Sequence, residues 1–216
     1  DKHQSIQTTT CWVLEMFCEY LQPETLKPFL AAMLEKLQNL LNNPSRNIKE
    51  MALTAISATA TASEKHFVPY AATICGMQHP IIFLKGEKEE TIRGRALECL
   101  SHISLAIGKE HFRAYFVESM NAAGQALKED SDTLAEYVLV FFTNACKTMK
   151  EDFAPYLADI MPFIQERLES EELIKFNGED DEDVDEVEEE EADGGAGAGG
   201  GGDDDDEYED AGDDDD

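Results

Sequence analysis

No disulfide framework, catalytic motif or membrane span can be assembled from this chain. Its five cysteines (Cys11, Cys18, Cys75, Cys99 and Cys146) form no C-x-x-C pair and are odd in number. Neither a disulfide set nor a zinc site is therefore expected, and buried free thiols in a reducing compartment fit better. Cys75 and His79 stand four residues apart, a spacing that can present two metal ligands, but no second pair accompanies them and no metal site is assigned. G-x-S-x-G, H-E-x-x-H and P-loop spacings are missing, so no catalytic residue is named, no enzymatic activity is supported and no cofactor is expected. No apolar run reaches the roughly 18 residues of a membrane span, and no signal peptide is seen. Strand signals are essentially lacking. Basic residues run out as well: Gly178 to Asp216 holds 23 acids and no Lys or Arg.

That last absence sorts the charge. The formal net charge is −30, yet residues 1–177 carry 24 acids against 17 bases, a net of only −7. A strongly negative segment repels nucleic acid and membrane surfaces and attracts basic proteins. The chain opens on an Asp one turn before an apolar helix and stops inside an Asp run, so both ends read as cuts through a longer protein.

What the chain does hold is a repeat. Phe153, Tyr156, Leu157, Ile160, Ile164 and Leu168 recur at three and four residues and fall on one side of a helix over 151–168. Pro155 suits its first turn, where a missing N–H costs nothing. Leu26-Lys27-Pro28-Phe29, Phe67-Val68-Pro69-Tyr70 and Phe112-Arg113-Ala114-Tyr115 repeat that opening, and the four copies lie 41, 45 and 41 residues apart. This is the period of HEAT or armadillo arrays.

Each repeat reads as a helix A, usually with proline, then a short polar turn and a second helix B. A helices are expected near 24–41, 64–84, 109–128 and 151–168, and B helices near 4–20, 46–62, 91–107 and 132–149. Ile6, Val13, Leu14, Phe17 and Leu21 mark the first B helix; the first A helix should bury Phe29, Met33, Leu34, Leu37 and Leu41. Pro80 interrupts the second A helix, Gly108 ends a B helix, and Asp130-Ser131-Asp132 supplies an N-cap. Arg93 and Arg95 beside Glu98 read as repeat-to-repeat ion pairs, each worth little at a surface. The fold class is all-α, a solenoid over 1–177 that buries apolar faces by stacking, followed by a disordered acidic and Gly-rich segment over 178–216.

The F-x-P-Y opening of helix A, Ile160-Met161-Pro162, and Ile48, Ala52 and Ile56 of a B helix resemble importin-β (karyopherin-β) HEAT repeats. The stretches Ala58–Tyr70, Phe153–Tyr156 and Asp180–Glu191 carry the likeness, which spans about residues 4–193. An acidic run straight after an A helix points to the importin-4-like branch. The resemblance implies a central fragment of a receptor that shuttles between cytoplasm and nucleus through the nuclear pore. It implies basic cargo, histones or ribosomal proteins, on the B-helix face, with FG nucleoporins on the other face. Release to Ran-GTP is implied for the full-length protein. A HEAT scaffold in a static assembly and an acidic-tail histone chaperone remain alternatives.

The acidic run, with Asp180, Asp181, Glu182, Asp183, Glu188, Glu189, Glu190 and Glu191, either attracts Lys-rich cargo or serves as a solvated spacer. Trp12, the only tryptophan, either packs between repeats or holds a cargo lysine against its ring. Thr54, Ser57, Glu98, His102 and Glu136 are polar B-helix positions open to cargo contact or to water alone. His66 and His111, each just before an anchoring Phe, suggest a repeat role.

Overall fold

The computed structural model describes residues 3–129 and 131–169; the segment 178–216 lies outside them. Among the described residues seven helices follow one another: α1 (Gln4–Tyr20), α2 (Pro23–Leu41), α3 (Arg46–Ser63), α4 (Val68–Ile82), α5 (Glu90–Ala126), α6 (Asp132–Met149) and α7 (Leu157–Glu169). Three short 3₁₀ segments join them, and no strand occurs among the described residues. α5 is two helices in one run, broken at Gly108, which takes φ 74° and ψ 172°. Its first half is a B helix and its second half an A helix. Local chemistry sets the ends: Pro23 opens α2, and Ser131 caps α6 by accepting the Leu134 amide at 3.2 Å.

The B helices pack in succession, α1 on α3, α3 on α5 and α5 on α6, whereas the A helices α2 and α4 barely meet. α3 tolerates neighbours on both sides because Ala52, Ala55 and Ala60 leave room on its buried surface. Hydroxyls and amides fix the register of this seam. Cys18 Sγ lies 3.9 Å from Thr59 Oγ1, Asn144 Nδ2 donates to Ser101 Oγ at 3.0 Å, and Ser104 and Thr148 share a bond of 3.0 Å. Each pair is about one repeat apart in sequence. Phe67, Phe112 and Phe153 are all buried at the starts of their A-helix segments.

Three of the four B-to-A turns pass through a residue at positive φ, two of them strained; the α1–α2 turn instead runs through extended Leu21 (φ −84°, ψ 136°). Glu64 (φ 47°, ψ −132°) and Lys150 (φ 53°, ψ −119°) stand where Gly108 stands in the third copy. That backbone region is open to glycine and costs a side chain about 1–3 kcal/mol. Lys150→Gly is accordingly expected to raise stability by about 1 kcal/mol, after glycine's extra unfolded-state entropy is subtracted. Urea unfolding checks it, and a midpoint at or below the parent's contradicts it.

Several expectations are corrected by the fold. Pro155 lies in a 3₁₀ segment, Lys150–Tyr156, and the last α-helix starts only at Leu157, because the strained Lys150 turn tightens the chain entering it. α4 runs unbroken through Pro80 and ends two residues later, so the proline falls where little helix remains to disturb. Cys146 is exposed, on the outward side of α6, while the other four thiols are buried. Phe29, expected in the core, is 62% exposed, and Phe17 and Ile6 are each 60% exposed. α1 and α2 pack on α3 from one side only, and no described helix covers the other. Arg93 is no surface residue. At 1% exposure it donates from Nη1 to both Glu129 oxygens (2.7 and 2.8 Å) and from Nε to the Ile82 carbonyl (3.1 Å). A buried charge persists only when paired in this way.

Candidate functional site

Because the B helices lie side by side, residues one repeat apart share one surface. Its centre is Arg95 of α5, whose Nη1 donates to Glu98 Oε2 at 3.2 Å and whose guanidinium sits 5.3 Å from the Tyr137 ring centre. Gly94 permits this approach, since a Cβ there would come within 2.1 Å of the Tyr137 ring. Glu15 of α1 and Glu50 of α3 look onto the same group. Burial pushes both carboxyls up; Arg95 draws Glu15 back, and Arg46 and Arg95 draw Glu50 back. Carboxylates held short of water in this way gain from an incoming cation.

Trp12 of α1 is 53% exposed, so it does not fill the core between repeats. Glu98 belongs to the Arg95 group, and Glu136 is exposed and acts on Tyr137 electrostatically. His102 Nδ1 lies 3.2 Å from Thr61 Oγ1, and burial pushes its pKa down, against a smaller opposing pull from Glu98. Thr54 and Ser57 turn inward: their hydroxyls donate to the Glu50 and Leu53 carbonyls at 3.2 and 3.0 Å, and Ser57 is buried. Residues 180–183 and 188–191 lie outside the described chain. Glu15, Glu50, Arg95 and Tyr137 were not singled out as site residues from sequence. Projecting the acids of successive B helices onto one face would have brought them forward.

The opposite, A-helix face carries two grooves, also missed. One, of about 750 Å³, lies between the second half of α5 and α7, walled by Met120, Asn121, Tyr156, Asp159, Ile160 and Phe163. Phe83 and Phe142 also line it, so four aromatic rings share a wall with Glu118, Asn121, Gln125, Lys128 and Asp159. The other, of about 320 Å³, lies between α4 and the second half of α5 and includes Cys75, His79, Tyr115, Glu118 and Ser119. Tyr70, Tyr115 and Tyr156, the fourth residues of three repeat openings, were the available signal. Among the described residues no group of three His, Cys, Asp or Glu could hold a metal. Cys75 is buried, its thiol pushed up to about 12 by desolvation, while His79 turns to Glu118 and packs at a tilt against Phe83 with ring centres 5.3 Å apart. His66 and His111, despite equivalent positions, differ in partner: His66 meets Glu24 at 2.9 Å, and His111 Nδ1 lies 3.1 Å from the Ile107 carbonyl across the Gly108 break.

A family described as importin subunit beta-1-like, TPR repeats, matches residues 1–185. The chain is 26% identical over 160 residues to importin subunit beta-3 of Saccharomyces cerevisiae, covering 73% of this chain and 15% of that one. It is 28% identical over 151 residues to a probable importin-5 homolog of Dictyostelium discoideum, covering 69% and 14%. The crystal structure of Kap121p superposes with a TM-score of 0.69 at 27% identity, over 73% of this chain and 15% of that chain. Kap121p has also been solved bound to Pho4p, to Nup53p and to the SUMO protease Ulp1p. The chain thus spans about 15% of the length of these relatives.

Proposed function

The chain belongs to the importin subunit beta-1-like family of helical repeats, and on that premise we propose that it is a cargo-binding section of a nuclear import receptor. Its cargo is basic protein, histones and ribosomal proteins among them, carried between cytoplasm and nucleus through the pore. The observation that carries this reading is the B-helix face, where Glu15, Glu50 and Glu98 from three repeats converge on Arg95, with an exposed Trp12 three residues before Glu15 on α1. Lysine ammonium groups offset the desolvation of those carboxylates, and an indole ring holds a lysine's methylenes or its charge. On the opposite face, the aromatic groove between α5 and α7 takes phenylalanine side chains, the chemistry of FG nucleoporins, by edge-to-face packing on Tyr156, Phe142 and Phe163. Ran-GTP belongs to the full-length protein in this reading.

The acidic segment supplies long-range attraction. Residues 178–216 hold 23 of the 47 acids and no base, and such charge acts through solvent with a Debye length of about 8 Å at physiological salt. Removing 178–216 is expected to slow association with a Lys-rich histone-tail peptide severalfold and to flatten its salt dependence, while dissociation changes less. Stopped-flow binding of intact and truncated chains at two salt concentrations reads both rates. Faster association after truncation makes the segment a competitor for the cargo face. Unchanged rates reduce it to a spacer and remove it from the account.

A further inference from the structure

The two A-face grooves are copies of one another. A shift of 45 residues on α4 and 41 on α5, the intervals between repeat openings, turns the wall of the smaller groove into that of the larger. Cys75 becomes Met120, Gly76 becomes Asn121, Tyr115 becomes Tyr156, Glu118 becomes Asp159 and Ser119 becomes Ile160, all of them wall residues. Met120, Asn121 and Ile160 are bulkier than the residues they replace. The copy containing them should be the tighter, yet it is the larger, at about 750 against about 320 Å³.

Two positions go the other way: Glu118 becomes the shorter Asp159, and the larger change is at His79. His79 on α4 corresponds to Gly124 on α5, and both line their grooves. His79 Nε2 reaches Glu118 Oε2 at 2.9 Å, so the imidazole lies across the smaller groove and ties α4 to the second half of α5. Its ring packs against Phe83 at a tilt of 58°, which supports that orientation. In the larger groove Gly124 has open space beside it, and Asp159 has no imidazole opposite. Both His79 and Glu118 are largely exposed, with side-chain exposures of 50% and 63%. The charge interaction alone is therefore weak, and the bulk of the ring matters as much as the bond.

We propose that the His79–Glu118 pair is a strap that shuts the α4–α5 groove to the aromatic side chain its open copy accepts, so that His79 sets how many such ligands the chain holds. This rests on the groove reading given above for phenylalanine-bearing peptides. The ligand is committed to that class because the open copy is lined by four aromatic rings, Phe83, Phe142, Tyr156 and Phe163. Glu118 lines both grooves, and in the open one it and Asp159 outnumber Lys128, which disfavours acidic flanks, so the peptide is neutral or basic beside its phenylalanine.

The test uses the full 216-residue chain with isoleucine methyl groups isotopically labelled and a short Phe-Gly repeat peptide as the probe. Ile160 lines the open groove and Ile82 the strapped one, so their methyl signals report the two separately. The parent should bind one peptide and shift Ile160 alone. His79→Gly should bind two and shift both methyls. The reciprocal change, Gly124→His, places an imidazole opposite Asp159, with room for it, and should weaken binding at Ile160 at least tenfold. It also stands in if the first variant folds poorly. One peptide at Ile160 in all three proteins overturns the strap while leaving the groove reading intact, and Ile82 shifting in the parent overturns it equally. No shift at Ile160 in the parent overturns both.

Discussion

Phe112→Ala should destabilise the chain by about 3–5 kcal/mol, the range for truncating a fully buried aromatic whose surroundings cannot close over the void. Phe112 is 0% exposed, packs beside Tyr115 with ring centres 6.3 Å apart, and belongs to the continuous apolar core that runs along the array. Its position adds to the effect. In a stacked array each repeat is stabilised chiefly by its neighbours, so a cavity in an interior repeat weakens two interfaces together. Denaturant unfolding should therefore show a lower midpoint and a less cooperative transition. Phe29→Ala is the matched control, since Phe29 is 62% exposed, and it should stay within about 0.5 kcal/mol of the parent. Equal midpoints for Phe112→Ala and the parent would remove the anchoring role assigned to the first residue of each repeat opening.

That contrast shows what was legible and what was not. The period, the helix order and the anchors Phe67, Phe112 and Phe153 follow from spacing alone, because a repeat places equivalent residues in equivalent surroundings. Phe29 broke the pattern for a reason spacing does not contain. It sits in the fourth slot of the opening, with Tyr70, Tyr115 and Tyr156, and the last two line grooves against the preceding A helix. No described A helix precedes α2, so Phe29 has nothing to pack on. Arg93 failed differently: arginine is rarely fully buried, and its partner Glu129 lies 36 residues away. The same holds at the candidate site. Glu98 was found as a polar B-helix position, whereas Glu15 and Glu50 emerge only when three helices are laid side by side. Thr54 and Ser57 had helix positions suited to a surface, but their hydroxyls satisfy the helix's own carbonyls.

The central claim is that the B-helix face binds basic peptide through carboxylates contributed by successive repeats. Reversing charge at Glu15, Glu50 and Glu98 together tests it. Each substitution to lysine removes an attraction and adds a repulsion, and Arg95, freed from Glu98, then repels the ligand as well. The triple variant is expected to lose at least about tenfold in affinity for a Lys-rich peptide, which is about 1.4 kcal/mol. Binding of a Phe-Gly peptide at Ile160, on the opposite face, should not change, and that signal also certifies that the variant folds. The decisive measurement is the dissociation constant of the Lys-rich peptide for parent and triple variant at one fixed physiological salt concentration. A loss of tenfold or more with the Ile160 signal intact is the predicted result; an affinity within twofold of the parent's would contradict the assignment of this face to cargo.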